Sequence, residues 1–194
     1  MSTPAALASV GEGRIGVLHG FEPAWPSASV VGPAFTVEGA PGDNLALHHA
    51  VAEAAPGDVI VLSVGGERSH AHCGGVLATA ARERGIAGIV VDGAVRDRSE
   101  LEQVGVPVFH RGSSPLKPAK DGPVRLRVPV QIDRVRIESG DLVAADADGI
   151  VVVPQAHVDA VIAAAAELEA REQEILAQLA AGRTTVEIYG FEPL

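Results

Sequence analysis

Gly74-Gly75-Val76-Leu77-Ala78-Thr79-Ala80-Ala81-Arg82-Glu83-Arg84-Gly85 runs on, through Ile86 to Val90, into Val91-Asp92-Gly93-Ala94-Val95-Arg96-Asp97-Arg98-Ser99-Glu100. The first block reads as a glycine turn that opens a short helix, with Gly85 suited to the position just past its C-terminus. Ala87 to Val91 is a short continuous apolar run, the pattern of a strand covered on both faces. A strand ending near Asp92-Gly93 delivers the adjacent charges Arg96 and Asp97 to the carboxyl edge of a sheet, the usual ligand edge of α/β folds. Twenty residues separate Gly75 from Arg96, and Glu100 follows the pair after two more.

The chemistry of this stretch follows from its residue types. A helix beginning near Gly75 points free N–H groups of Val76 and Leu77 outward, and such groups bind carboxylates. The glycines let a ligand approach the backbone closely. Arg96 can meet an oxygen that gains negative charge, as an enolate does, while Asp97 can hold a hard cation such as Mg²⁺ or Mn²⁺. The same residues also read as a surface ion pair capping a turn, a common arrangement that contributes little.

Outward from this core, Val30 to Val37 reads as a strand bent at Gly32-Pro33. Asp43 or Asn44 can cap a helix running from Leu45 toward Ala55. Pro56-Gly57-Asp58 turns into the strand Val59–Leu62, and residues 64–73 read as a polar, glycine-rich loop. Val106 to Ile137 is strand-rich and punctuated by glycine and proline. Asp148-Gly149 signals a hairpin between Leu142–Ala145 and Ile150–Val153. Beyond Pro154, apolar residues at helical spacing from Val158 to Leu179 predict a long helix over about 155–181, ended by Gly182. No linker or low-complexity segment divides the chain, so residues 1–194 read as one α/β domain.

Composition narrows the function. The chain has 194 residues, 47% of them hydrophobic, ample for a core, and a formal net charge of −10. That charge argues against nucleic acid as a direct ligand, because phosphate binding needs clustered cations; a local arginine and a metal can still draw an anion. Cys73 is the only cysteine, which excludes an internal disulfide and suits a reducing cytoplasm. Leu142 to Ala166 is interrupted by charged residues and proline, so no membrane span is expected.

These motifs resemble the RraA-like superfamily, which includes the class II 4-hydroxy-4-methyl-2-oxoglutarate/4-carboxy-4-hydroxy-2-oxoadipate aldolases and related oxaloacetate decarboxylases. The family signature is Gly, twenty residues, Arg-Asp, two residues, then Glu or Asp; Gly75, Arg96, Asp97 and Glu100 match each position. The likeness extends over Gly32-Pro33-Ala34-Phe35-Thr36, Gly42-Asp43-Asn44-Leu45, Pro56-Gly57-Asp58-Val59, Gly140-Asp141 through Asp148-Gly149 to Pro154, and Leu179-Ala180-Ala181-Gly182. It implies a single-domain β/β/α fold like the swivelling phosphohistidine domains, assembled as a homotrimer or homohexamer with sites at subunit interfaces and the C-terminal helix at such an interface.

The resemblance also implies roles. Arg96 would bind the keto oxygen of a pyruvyl group and stabilise the enolate, Asp97 would coordinate the divalent metal, and the backbone at Gly75, Val76 and Leu77 would hold the carboxylate. A carboxylate from a neighbour's C-terminal helix would orient water near the metal, and counting back from Leu179-Ala180-Ala181-Gly182 points to Glu172. Relatives often carry an acidic residue where Gly75 stands; here that duty falls to Glu100 or Glu172. The implied activity is a lyase that releases pyruvate from 4-hydroxy-2-oxo acids or decarboxylates oxaloacetate. The alternative is a non-catalytic regulator that binds ribonuclease E, and the retained Arg-Asp pair favours the enzyme. His70, His72 and Cys73 have part of a zinc-like spacing without a second cluster, so a pocket-entrance loop is the expected reading. His48-His49 read as a surface or interface pair, and neither Cys73 nor Ser113-Ser114 has an identifiable base.

Overall fold

Continuous apolar runs in the middle of the chain become the strands of a central sheet, and the amphipathic stretches between them become its covering helices. The computed structural model describes residues 2–192. Helix α1 (Pro4–Val10) precedes the short strands β1 (Gly16–Leu18) and β2 (Glu22–Pro23). There follow β3 (Val30–Glu38), α2 (Leu45–Glu53), β4 (Val59–Cys73), α3 (Gly75–Glu83), β5 (Gly88–Val95), α4 (Arg98–Val104) and β6 (Val108–Ser113). Four further strands are β7 (Arg125–Leu126), β8 (Val130–Ile132), β9 (Val135–Ile137) and β10 (Leu142–Asp146). The chain ends with β11 (Gly149–Val153), α5 (Val158–Ala180) and α6 (Thr185–Tyr189).

The main sheet has the order β1-β11-β10-β3-β4-β5-β6-β2, with β7 also paired to β3. Its centre, β3 to β6, is parallel, each strand joined to the next by one helix. The period of two sorts the side chains. Ile60, Leu62, Ile89 and Val91 pack against Leu47, Leu77, Ala81 and Leu101 of the helices. Val59, Val61 and Val90 face the other way, onto Val130, Ile132, Ile137, Val143 and Val152. The result is helices on one face of the sheet and strands on the other, a mixed α/β fold.

Residues 64–73 are not the loop that their polarity suggests. Gly65 and Gly66 take positive φ of 68° and 74°, the ladder shifts register, and Glu67, Ala71 and Cys73 still pair with Gly93, Ala94 and Val95. The polar residues occupy the bulges, so alternation fails as a signal although pairing persists. Asp92 anchors the first bulge by accepting from Gly66 N at 3.0 Å. Arg111 binds Asp92 at 2.5 Å and Asp133 at 2.9 Å while lying over the Phe21 ring. Consequently β5 continues past Gly93 to Val95, two residues beyond the expected end.

The hairpin expected at Asp148-Gly149 joins β10 to β11 antiparallel. The long C-terminal helix packs Val161 and Ala165 against α1 and the β10–β11 layer. Glu169 accepts from Ser2 Oγ at 3.2 Å and Thr3 N at 3.0 Å. Beyond Glu169 no described residue is buried, and Leu176, Val186, Tyr189 and Phe191 are exposed, Phe191 by 63%. Among the described residues no helix is long and apolar enough to cross a membrane.

Candidate active site

The carboxyl ends of β4 and β5 lie side by side: Cys73 pairs with Val95, and Arg96 N donates to Cys73 O at 2.9 Å. Helices α3 and α4 therefore start at one corner. The N-cap of α3, Gly74, offers no side chain, and the first-turn N–H groups have no partner within the helix itself. A Cβ at Gly74 would lie 2.6 Å from Asp97 Oδ2 and 3.1 Å from Arg96 Cγ; one at Gly75 would collide with Glu100 Oε2. Both glycines exist because the charged turn occupies their side-chain space. The side-chain space at position 75 is thus filled by the Glu100 carboxylate.

Asp97 holds a left-handed conformation, φ 58° and ψ 39°, at the N-cap of α4, a conformation that costs a non-glycine residue about 1 kcal/mol or more. Its carbonyl accepts from Glu100 N and Leu101 N at 2.8 and 2.9 Å, which starts the helix. Its carboxylate does not cap α4; it turns back toward Gly75 N, 3.4 Å, and Arg96 Nε, 3.3 Å. Strain at this residue accompanies a carboxylate aimed across the corner toward the start of α3.

Arg96, Asp97, Gly74, Val76 and Leu77 form one wall of a cavity of about 230 Å³, below the roughly 300–1,000 Å³ common for drug-sized ligands. Val76, 80% exposed, stands at its rim. The opposite wall was not read from the sequence: it comprises Asn44, His48, Lys117, Pro118 and Lys120. His48 is more than a surface or interface residue: it faces this cavity and contacts Lys120 Nζ at 3.1 Å. Burial, then the Lys120 charge, push the His48 pKa down, so the imidazole is neutral near pH 7. The available signal was the helix period: His48 falls one turn after Asn44 on α2. Nothing local reported that residues 117–120 cross over it.

A second cavity, about 380 Å³, opens on the other side of Arg96 and Asp97, against Arg98, Ser113, Ser114 and Pro115. Ser114 Oγ donates to Ser69 O at 2.5 Å and serves the loop structure. His70 and His72 converge on Glu67, at 3.3 and 3.5 Å. Backbone N–H groups of Ser69 and His70 outweigh the cost of burial and hold the Glu67 carboxyl below its usual range. Cys73 is buried, and burial pushes its thiol up to about 12. It is an inert wall residue.

Glu172 is exposed on the outer half of α5, which packs on α1 rather than on the corner. The chain brings Gly75, Val76, Leu77, Arg96, Asp97 and Glu100 together and leaves Glu172 outside that group. Among the described residues no three His, Cys, Asp or Glu side chains gather as a metal cage. Asp97 Oδ2 lies 3.4 Å from Gly75 N, and the Glu100 carboxylate stands beside Gly75 as well, an oxygen-rich set. That set fits Mg²⁺ or Mn²⁺, which take one or two carboxylates plus water and substrate oxygens.

Comparison with known proteins places the chain in a family. The RraA-like family profile, described as Aldolase/RraA, matches residues 6–152. A Halalkalibacterium halodurans protein provisionally named a 4-hydroxy-4-methyl-2-oxoglutarate aldolase is 41% identical over 162 residues, covering 81% of this chain and 77% of its own. The 4-hydroxy-4-methyl-2-oxoglutarate aldolase of Thermus thermophilus is 36% identical over 113 residues, 58% of this chain and 69% of its own. The crystal structure of Streptomyces coelicolor RraAS2, described as an unusual member of the RNase ES inhibitor RraA family, superposes with a TM-score of 0.76. It shares 30% identity and covers 92% of this chain and 91% of that one. The chain belongs to the RraA-like family.

Proposed function

We propose that this protein is a divalent-metal-dependent carbon–carbon lyase that releases pyruvate from 4-hydroxy-2-oxo acids and decarboxylates oxaloacetate. The observation that carries the reading is the convergence of Arg96, Asp97 and Glu100 on the open start of α3. The first-turn amides at Val76 and Leu77 hold the substrate's 1-carboxylate. Arg96 donates to the keto oxygen and stabilises the negative charge that gathers there as the C3–C4 bond breaks. Asp97 would hold Mg²⁺ or Mn²⁺, which when bound supplies Lewis-acid stabilisation of that same charge. The Glu100 carboxylate lies against the side-chain position of residue 75, and the proton-handling duty falls to it or to Glu172 from a neighbour.

Oxaloacetate loses CO₂ and the hydroxy acids lose an aldehyde or ketone, which is a second 2-oxo acid where C4 carries a carboxylate, yet both leave the enolate of pyruvate, so one corner serves both reactions. The exposed apolar end of α5 and α6 supports assembly as a homotrimer or homohexamer, with Glu172 delivered to a neighbour's corner. A cytoplasmic location suits the lone buried thiol. The test is pyruvate release from oxaloacetate and from 4-hydroxy-4-methyl-2-oxoglutarate with Mg²⁺ or Mn²⁺. Release is expected to stop with EDTA and to return with metal; EDTA-insensitive release sinks the metal role. The likeness to an RNase ES inhibitor favours a second reading, a non-catalytic regulator binding a ribonuclease. Co-purification with a ribonuclease and no turnover of any 2-oxo acid would select it.

A further inference from the structure

The chain carries a net charge of −10 and only two lysines, Lys117 and Lys120. Both line the 230 Å³ cavity opposite Arg96 and Asp97. Among the described residues neither lysine has a carboxylate within 4.0 Å, whereas Arg111 binds two and Arg82, Arg96, Arg125 and Arg136 bind one each. A substrate with one carboxylate is served by Arg96 and the α3 amides alone. Two further ammonium groups on the facing wall are charge in excess of that need.

The segment carrying them is held, not loose. Ala71 N donates to Leu116 O at 2.9 Å and Ala119 N to Gly42 O at 2.8 Å; Asn44 N returns a bond to Ala119 O at 3.1 Å. Asp43, buried, accepts from Asp121 N and Gly122 N at 2.8 and 2.9 Å. Lys120 gives one of its donors to His48 Nε2 at 3.1 Å, leaving two for a ligand. The same wall contains Asn44, 6% exposed, whose Nδ2 donates to His72 O while Oδ1 has no partner. A buried acceptor without a donor asks for one, and a hydroxyl on the ligand is of the right kind.

We propose that Lys117 and Lys120, the latter positioned by His48, bind the second carboxylate of a dianionic 2-oxo acid and so set the substrate preference of this cavity. This rests on the lyase reading and deepens it: the α3 corner holds the pyruvyl end, and the lysine wall holds the far end. Charge-assisted hydrogen bonds of this kind change binding by roughly ten- to a hundred-fold.

Two measurements test it on the full chain. In the first, Lys120→Met and Lys117→Met are assayed with 4-hydroxy-4-methyl-2-oxoglutarate, which has two carboxylates, and with 4-hydroxy-2-oxopentanoate, which has one. The proposal expects KM for the diacid to rise about ten-fold or more with kcat nearly held, no comparable change for the monoacid, and partial rescue by Lys120→Arg. Equal losses on both substrates overturn it. In the second, reductive ¹³C-methylation labels the two lysines, keeps their charge, and gives two side-chain NMR signals to follow. With Mg²⁺ present, 2-oxoglutarate is expected to shift both signals; pyruvate and inorganic phosphate are not. Equal shifts with phosphate or pyruvate overturn the proposal in favour of a general anion patch. Lysine shifts with 2-oxoglutarate, in a protein that cleaves no 2-oxo acid, support the subsite and reject the lyase reading instead.

Discussion

The two walls of the cavity are built by opposite means. One wall, Gly74 to Leu77 with Arg96 and Asp97, comes from two adjacent parallel strand ends whose helices start together, so a short continuous motif specifies it. The other, His48 with Lys117 and Lys120, comes from a helix and an irregular segment seventy residues apart, held by backbone bonds to residues 42–44 and by the buried Asp43 carboxylate. The first wall carries groups suited to bond cleavage, and the second carries charge suited to recognition. On the proposed function, the groups for chemistry are specified locally in this fold and those for selectivity by tertiary contacts.

The largest break in that comparison comes from Gly74→Ala. The new Cβ meets Asp97 Oδ2 at 2.6 Å and displaces both members of the charged pair. Pyruvate release is expected to fall by about a hundred-fold or more, the scale for losing oriented charge at a transition state. Circular dichroism should stay unchanged, because Gly74 has an extended backbone, φ −155°, that any residue adopts. Gly75→Ala presses on the Glu100 side chain, its carboxylate above all, and separates its role from that of Arg96. It should cost about ten-fold in kcat with stability within about 1 kcal/mol of wild type, since alanine suits a helix better than glycine. An unchanged kcat would remove Glu100 from the mechanism.

Asp43→Ala attacks the recognition wall. Removing an acceptor that binds Leu45, Asp121 and Gly122 N–H groups should destabilise the protein by about 1–3 kcal/mol in urea melts and raise KM for diacids more than it lowers kcat. Burial would raise the Asp43 carboxyl, but those three backbone donors outweigh burial and lower it from the usual 3.8. A depressed folded value means that its stabilisation is fully present above about pH 4. It fades as pH falls through the folded value, and the variant should lose this acid dependence.

His110 supplies a control outside both walls. Burial pushes its pKa down from 6.5 to about 4, with Glu22 opposing and Arg98 assisting. The unfolded chain therefore binds the proton more readily, and this contribution declines as pH falls from 6.5 toward 4. His110→Gln should flatten that part of the stability profile without altering the ratio of diacid to monoacid turnover. The smallest effect belongs to Cys73, whose thiol should react with a disulfide reagent at pH 8 only as fast as the protein unfolds.

Much of the fold was legible because its signals are local. The Val59–Leu62 run, the Asp148-Gly149 hairpin and the Gly85 and Gly182 stops each state their structure within a few residues. The β4 extension was not, because its bulges carry the polar residues Glu67, Ser69 and His70 and break the alternation that marks a strand. Arg96 and Asp97 were legible as a pair. The reason for Gly75 was not, since it lies in the volume taken by Glu100, twenty-five residues on. The lysine wall was hidden for the same reason, its pinning partners Gly42, Asp43 and Asn44 being distant in sequence.

The proposed chemistry turns on the Gly74–Glu100 corner stabilising the enolate of pyruvate. Proton NMR of pyruvate in D₂O with catalytic protein and Mn²⁺ or Mg²⁺ tests it directly, without any assumption about the leaving group. Manganese is quenched with EDTA before each spectrum. The methyl signal is expected to exchange away with wild-type protein and metal, and exchange to fall to the buffer rate in Asp97→Ala and Arg96→Ala. No exchange by the folded, metal-supplied wild type, or undiminished exchange in both variants, would contradict it.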